Sequence, residues 1–283
     1  MSGSESWFAV AELPREIDTA ALSARLAEQS VAHRFHERPG SRLLLVARRG
    51  DIPAALLALR ECGLFVGVPA PSLAAQARQA PVVTAVLLLG VLGALLVSFL
   101  PDAVHWFTFQ DFTLTEADKL HLEAPDAGFA RGEYWRLLTP VLLHFGLFHI
   151  LFNGLWLWEF GRRIERLAGH GNFLLILAAI AAGSNVGQYL WSPGSLFGGL
   201  SGVVYGLLGY IWVRNRLAPH PLLSVAPGIF PLMMVWLIAC LTGVVNLFLE
   251  GGVANGAHVT GLVIGALFGA LAGYSARARS QTQ

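Results

Sequence analysis

The sequence predicts an α-helical polytopic membrane protein, a bundle of six transmembrane helices preceded by a small N-terminal α+β domain on the cytoplasmic side. Three observations lead there. The 283 residues are 55% hydrophobic and only 13% charged, with a mean hydropathy of +0.58, far from the composition of a soluble domain. Six apolar segments follow one another from Val82 onward. Basic residues mark alternate loops between them, as the positive-inside rule requires of a multi-pass chain. Net charge is only +1, so no basic field exists to attract nucleic acid, and no nucleic-acid partner is expected.

Residues 1–70 read as the soluble domain. WFAVAEL and RLLLVAR have the look of short strands, and TAALSARLAEQS and DIPAALLALREC that of amphipathic helices. The start, MSGSESWFAVAELPREID, is polar and acidic rather than basic and apolar, so no cleaved signal peptide is expected. Residues 71–81 are Pro/Ala-rich and polar enough to serve as a linker. Cys62 and Cys240 match neither a metal-ligand spacing nor a disulfide framework and read as buried thiols.

The bundle occupies residues 82–276, followed by a short tail, 277–283. Its apolar segments are about Val82 to Leu100, Val141 to Phe160, Phe173 to Trp191, Leu200 to Val213, Pro231 to Leu249 and Gly256 to Tyr274. Most are long enough for a hydrocarbon core of ~30 Å at ~1.5 Å per residue; the fourth is short. Arg162, Arg163 and Arg166 follow the second segment, Arg214 and Arg216 the fourth, and Arg277 and Arg279 the sixth, whereas the loops after the third and fifth carry no Lys or Arg. Both termini are therefore expected in the cytoplasm. The acidic first loop, 101–139, and the Gly-rich SPGSLFGG stretch face the other side.

Polar side chains inside spans are costly and each is a functional candidate. Here they are His144, His149 and Asn153 in the second span, Ser201 and Tyr205 in the fourth, and Asn246 and His258 in the fifth and sixth. Counting back from the cytoplasmic ends, Arg162 to His149 and Arg214 to Ser201 each cover about 20 Å of helix, and Tyr274 to His258 about 24 Å. Three helices thus bring polar groups to one level, roughly 5 to 10 Å below the non-cytoplasmic face.

GGLSGVVYGLLG begins its helix beneath that face and leaves irregular backbone before it. Such backbone is tolerated at membrane depth only where protein or a water-filled cavity covers it. Ser201, at or near the helix start, would have unpaired N–H groups beside it for a developing oxyanion. Gly199 and Gly202 would let the backbone turn and a substrate carbonyl approach. His149 and Asn153, at i and i+4, share a helix face and can both donate to that oxyanion. Gly261 and Gly265 follow His258 at i+3 and i+7, a small-residue stripe that would bring the sixth helix against the fourth and His258 to Ser201. Tyr205, one turn below the serine, could pack on the imidazole. No Asp occurs after Asp126, so a Ser/His dyad is the simpler reading than a triad.

Blander roles compete for the same residues. A G-x-S-G string alone means little among 31 glycines, and buried His and Asn often serve as interhelical hydrogen-bond glue. His144 and Asn246 read mainly as packing residues, and Glu159 and Glu165 as salt-bridge partners of the neighbouring arginines.

Together GEYWRLLTPVLLHFGLFHILFN, GGLSGVVYGLLGY and NGAHVTGLVIGALFG, in this order on spans two, four and six, resemble the rhomboid intramembrane serine proteases of bacterial type. The resemblance covers essentially the whole chain. It implies Ser201 as nucleophile, His258 as general base, and His149 and Asn153, with the Ser201 N–H, as the oxyanion hole. It also implies that Tyr205 supports the histidine, that Gly199 and Gly261 shape the dyad, and that Trp135 and Arg136 stabilise the first loop. Phe152 and Trp236 become candidate contacts of a lateral substrate gate. The implied protein sits in the bacterial inner membrane, cuts transmembrane segments of membrane-protein substrates within the lipid bilayer, and uses no metal or organic cofactor. A non-catalytic client-binding protein or chaperone on the same scaffold is the alternative. A small-solute transporter fits less well, because the polar groups gather to one side of the midplane.

Overall fold

The computed structural model describes residues 7–64, 72–114, 120–247 and 252–281. The chain divides into two compact units, Met1–Leu73 and Ala74–Gln283.

In the first unit the order is β1 (Phe8–Pro14), α1 (Ala20–Glu28), β2 (His33–Arg38), β3 (Ser41–Val46), a 3-10 turn at Arg49–Asp51, and α2 (Ile52–Glu61). The sheet is antiparallel in the order β1-β3-β2. Val10, Leu13, Leu44 and Val46 from the strands close on Leu22, Leu26 and Leu59 from the helices, giving the unit its own core. Strand β2, HRFHER, is absent from the sequence reading because it is an edge strand with no buried residue and no apolar alternation.

The expected linker at 71–81 is largely helical: α3 spans Leu73–Gln79, and α4 (Pro81–Phe99) starts within it; residue 71 lies outside the described residues. Ala-rich composition favours helix over a flexible tether.

The first loop is more structured than its composition suggests. A 3-10 segment (Pro101–Phe107) leads to a hairpin of β4 (Phe112–Leu114) and β5 (Leu120–Leu122), then α5 (Pro125–Ala130) and two 3-10 turns, Tyr134–Leu137 and Thr139–Leu142. Arg136, 1% exposed, is its hub. Its guanidinium donates to the Glu133 carboxylate at 2.7 Å, to the Thr108 carbonyl at 3.0 Å and to the His105 carbonyl at 2.5 Å, and it pairs with Asp111. Arg131 ties Glu123, Glu133 and Asp111 into the same network.

Five helices complete the unit: α6 (Leu147–Ala168), α7 (His170–Trp191), α8 (Ser201–Leu217), α9 (Ile229–Leu241) and α10 (Asn255–Gln281). Helices α8 and α10 run past their expected ends, to Leu217 and to Gln281 within the expected tail, and two others fall short of an expected bound. The second span begins at Leu147 rather than Val141, because Pro140 sits in a 3-10 turn and Gly146 has φ +115°, a backbone state that stops helical continuation. The fifth ends at Leu241 rather than Leu249: Gly243 has φ +77° and a 3-10 turn follows at Val244–Leu247, while residues 248–251 lie outside the described residues. Among the described residues, three helices, α4, α7 and α10, are long and apolar enough to cross a membrane by themselves. Helix α6 has the length, but its last turns carry Glu159, Arg162, Arg163, Glu165 and Arg166.

Helix α8 is the core of this unit, buried from Gly202 to Ile211. It packs directly on α10 along a glycine seam. A Cβ at Gly261, Gly265 or Gly269 would collide with the carbonyl oxygens of Gly202, Gly206 and Tyr210 respectively, so the two backbones touch as only small residues allow. The salt-bridge expectation holds for Glu159, which pairs with Arg162 and Arg163, whereas Glu165 meets His170 Nδ1 at 2.7 Å in place of an arginine. That carboxylate is fully buried and accepts from the backbone N–H groups of Val82 and Val83, both at 2.9 Å. It caps α4, whose first amides have no intrahelical acceptor, and its charge meets the positive end of the helix dipole.

Candidate active site

Ser201 is the first residue of α8, and the turn that delivers it depends on Gly199, at φ +111°. The Gly199 N–H donates to the Pro140 carbonyl at 2.9 Å. A side chain there would also fall 2.6 Å from His149 Nε2, so glycine is required both for conformation and for the approach of that imidazole. One residue on, the Leu200 N–H donates to His144 Nε2 at 3.3 Å, while His144 Nδ1 bonds the Leu142 carbonyl at 2.9 Å. His144 therefore clamps the turn before the serine to the end of the first loop, a specific form of the packing role expected for it. The amides of Ser201, Gly202 and Val203, in the first turn of α8, lack intrahelical acceptors.

The glycine seam places α10 so that His258 Nε2 lies 2.8 Å from Ser201 Oγ, the separation for a hydroxyl proton shared with an imidazole. The Tyr205 ring lies against the imidazole, centroids 4.8 Å apart at 39°. His258 is 4% exposed, and its Nδ1 is buried with no hydrogen-bond partner among the described residues. Among the described residues, no third side chain bonds this imidazole from behind.

Helix α6 carries His149 and Asn153, and His149 Nε2 lies beside Gly199. His149 Nδ1 accepts a long bond, 3.4 Å, from the Phe145 N–H. That tautomer leaves the proton on Nε2, the nitrogen beside Gly199. Asn153 is buried one turn along the same face. The structure thus brings Ser201, His258, Tyr205, Gly199, Gly261 and His149 together. Trp135 and Arg136 lie in the first loop instead, where Trp135 Nε1 donates to the Trp106 carbonyl at 3.0 Å. Phe152 and Trp236 stand on α6 and α9, 61% and 51% exposed. Asn246 lies in the 3-10 turn after α9. Among the described residues, no group of three or more His, Cys, Asp or Glu is placed to hold a metal ion.

Three residues escaped the sequence reading, two of them on α7, a span that seemed merely apolar, and one at the start of α10. Gln188 on α7 accepts from the Ala257 N–H at 3.1 Å and so caps the start of α10. Asn185 donates to the Leu137 carbonyl at 2.9 Å, fixing the first loop to α7. Asn255, the first residue of α10, donates through Nδ2 to the Cys240 carbonyl of α9 at 3.0 Å. Gln188 and Asn185 sit three apart on one face of α7, and that spacing was the signal that could have flagged them.

A family model described as the Rhomboid domain matches residues 131–275. Among curated relatives, "Rhomboid protease GlpG" of Pectobacterium atrosepticum is 39% identical over 135 residues. The protein of that name from Yersinia pestis (strain Pestoides F) is 42% identical over the same length. Each match covers 48% of this chain and 47% of the relative, so the chain spans about half the length of the curated relatives it matches. Together with the apolar helices, these matches make it a multi-pass bacterial membrane protein. The matched region begins before Arg136, takes in the Ser201–His258 pair and ends beyond the glycine seam, and the chain belongs to the rhomboid family.

Proposed function

We propose that this protein is an intramembrane serine endopeptidase that cleaves transmembrane segments of other membrane proteins through a Ser201–His258 dyad. The observation that carries the reading is the 2.8 Å contact between Ser201 Oγ and His258 Nε2 at the first residue of a helix. The name of the relatives, rhomboid protease, supports it.

Ser201 Oγ attacks the scissile carbonyl carbon as its proton passes to His258 Nε2, and the carbonyl electrons move onto oxygen. The Ser201 N–H, His149 Nε2–H and the Asn153 amide supply donors to that oxyanion. Collapse breaks the C–N bond; the leaving amine takes the proton from Nε2 and an acyl-enzyme remains. Water then gives its proton to Nε2 and attacks the ester, releasing the acid and restoring Ser201. Gly199 and Gly261 permit the approach of His149 and α10, and Tyr205 holds the imidazole face. Trp135 and Arg136 stabilise the first loop, and Phe152 and Trp236 flank the route by which a substrate helix arrives from the bilayer.

The arginines at the ends of α6, α8 and α10 support an inner-membrane orientation with both termini cytoplasmic. In the test, purified protein in detergent is incubated with a labelled single-span substrate, in parallel with Ser201→Ala and His258→Ala. The parent should cut and both variants should not. If either variant cuts at the parental rate, the dyad is misassigned; binding of several substrates without cleavage by the parent would favour client binding.

A further inference from the structure

Two atoms beside the dyad are buried without a hydrogen-bond partner among the described residues: His258 Nδ1 and Asn255 Oδ1. They lie three residues apart on α10. Residues at that spacing are neighbours on one helix face, and a helical side chain leans toward the N-terminus, so the imidazole leans toward Asn255. When Ser201 donates to Nε2, Nδ1 carries a proton and needs an acceptor. Asn255 Oδ1 is an acceptor that needs a donor. What keeps them apart is the other half of the amide, because Nδ2 donates to the Cys240 carbonyl near the end of α9 at 3.0 Å, where it joins the Gly243 N–H at 3.1 Å. A second tie runs in parallel: the Tyr205 hydroxyl donates to the Met233 carbonyl of α9 at 3.0 Å, and the same ring lies on His258. Both groups flanking the imidazole are thus bonded to the backbone of α9.

We infer that Asn255 is a positioning residue that couples the placement of α9 to the base. With α9 in place, Nδ2 latches it at Cys240 and the dyad lacks a partner behind His258. When a substrate helix displaces α9, the latch breaks and the amide turns. Oδ1 then accepts the Nδ1 proton, orienting the imidazole and stabilising the charge it gains in catalysis. The site is completed by the displacement that admits the substrate. This rests on the protease reading above.

The two roles separate by substitution. Asn255→Asp keeps an acceptor for Nδ1 but cannot donate to Cys240, whereas Asn255→Ala loses both. For a single-span substrate, both variants should lower KM several-fold. The alanine variant alone should also lower kcat several-fold, with the aspartate variant at or above the parental kcat. Thermal unfolding of each variant shows that it is folded. Equal kcat for alanine and aspartate variants overturns the acceptor role, and parental KM in both overturns the latch. Latch and protease activity are distinguished without turnover. Spin labels are placed through Leu155→Cys and Val235→Cys, both at exposed positions of α6 and α9, with Cys62→Ser, Cys240→Ser and Ser201→Ala. Adding Asn255→Ala should lengthen the distance distribution between them. An unchanged distribution overturns the latch even if the parent proves to cut nothing, a result that would sink the protease reading separately.

Discussion

At the residue scale, the proposed dyad is one hydrogen-bonded pair, so its members should not contribute independently. We expect Ser201→Ala and His258→Ala each to lower kcat by at least about 10³-fold, with the double variant no worse than either, because each loss already disables the same step. Activity should fall on the acid side as His258 takes up a proton and ceases to be a base; undiminished activity down to strongly acid pH, in protein still folded, would argue for another base. In the first loop, hydrogen bonds from Arg131 and then Arg136 hold the Glu133 carboxyl down to about 2. Its folded value lies below that of an unfolded glutamate, about 4.3. The stabilisation is therefore complete above that value and lost as pH falls toward 2. Glu133→Gln should lower the unfolding temperature at neutral pH, and the gap from the parent should close between about pH 4.3 and 2. Ser201 and His258 were legible because polar residues in spans are rare and depth can be counted along a helix. Asn255 was not, since nothing in NGAH tells that its amide reaches a carbonyl on another helix.

Glycine at the helix interface sets the behaviour of α8 and α10 as elements. Lipid offers no hydrophobic drive for helix association, so this pair is held by close backbone contact. A side chain at Gly265 would meet the Gly206 carbonyl, and Gly265→Leu should cost at least about 1–3 kcal/mol through overpacking. It should also separate His258 from Ser201. The check is thermal unfolding together with Ser201 labelling by a small fluorophosphonate; undiminished labelling would mean that the seam does not set the dyad distance. The stripe of Gly261 and Gly265 announced this seam in the sequence. The start of α6 and the end of α9 were less legible, because apolar residues continue past the points where Gly146 and Gly243 turn the backbone. Hydrophobicity reports where a segment can lie, and here it outlasts the helix at both places.

Over the whole molecule, Ser201, His258, His149, Asn153, the first loop and Asn255 all belong to the unit Ala74–Gln283, and the unit before it has a separate core. Removing residues 1–72 should leave cleavage of a single-span substrate within about twofold of the parent, since every group assigned to the reaction lies in the later unit. A loss of tenfold or more in kcat would show that the first unit takes part. The composition changes near residue 80, several residues past the division at Leu73/Ala74, and β2 and the β4–β5 pair carried too little apolar alternation to be seen. One contact bears on how the chain is made. Synthesis proceeds from the N-terminus, yet the first amides of α4 find their acceptor in Glu165, more than 80 residues later. Until α6 has been delivered to the bilayer, the newborn first span lacks that anchor, and a ribosome stalled in the first loop would hold it beside the insertion machinery with its leading end unsecured.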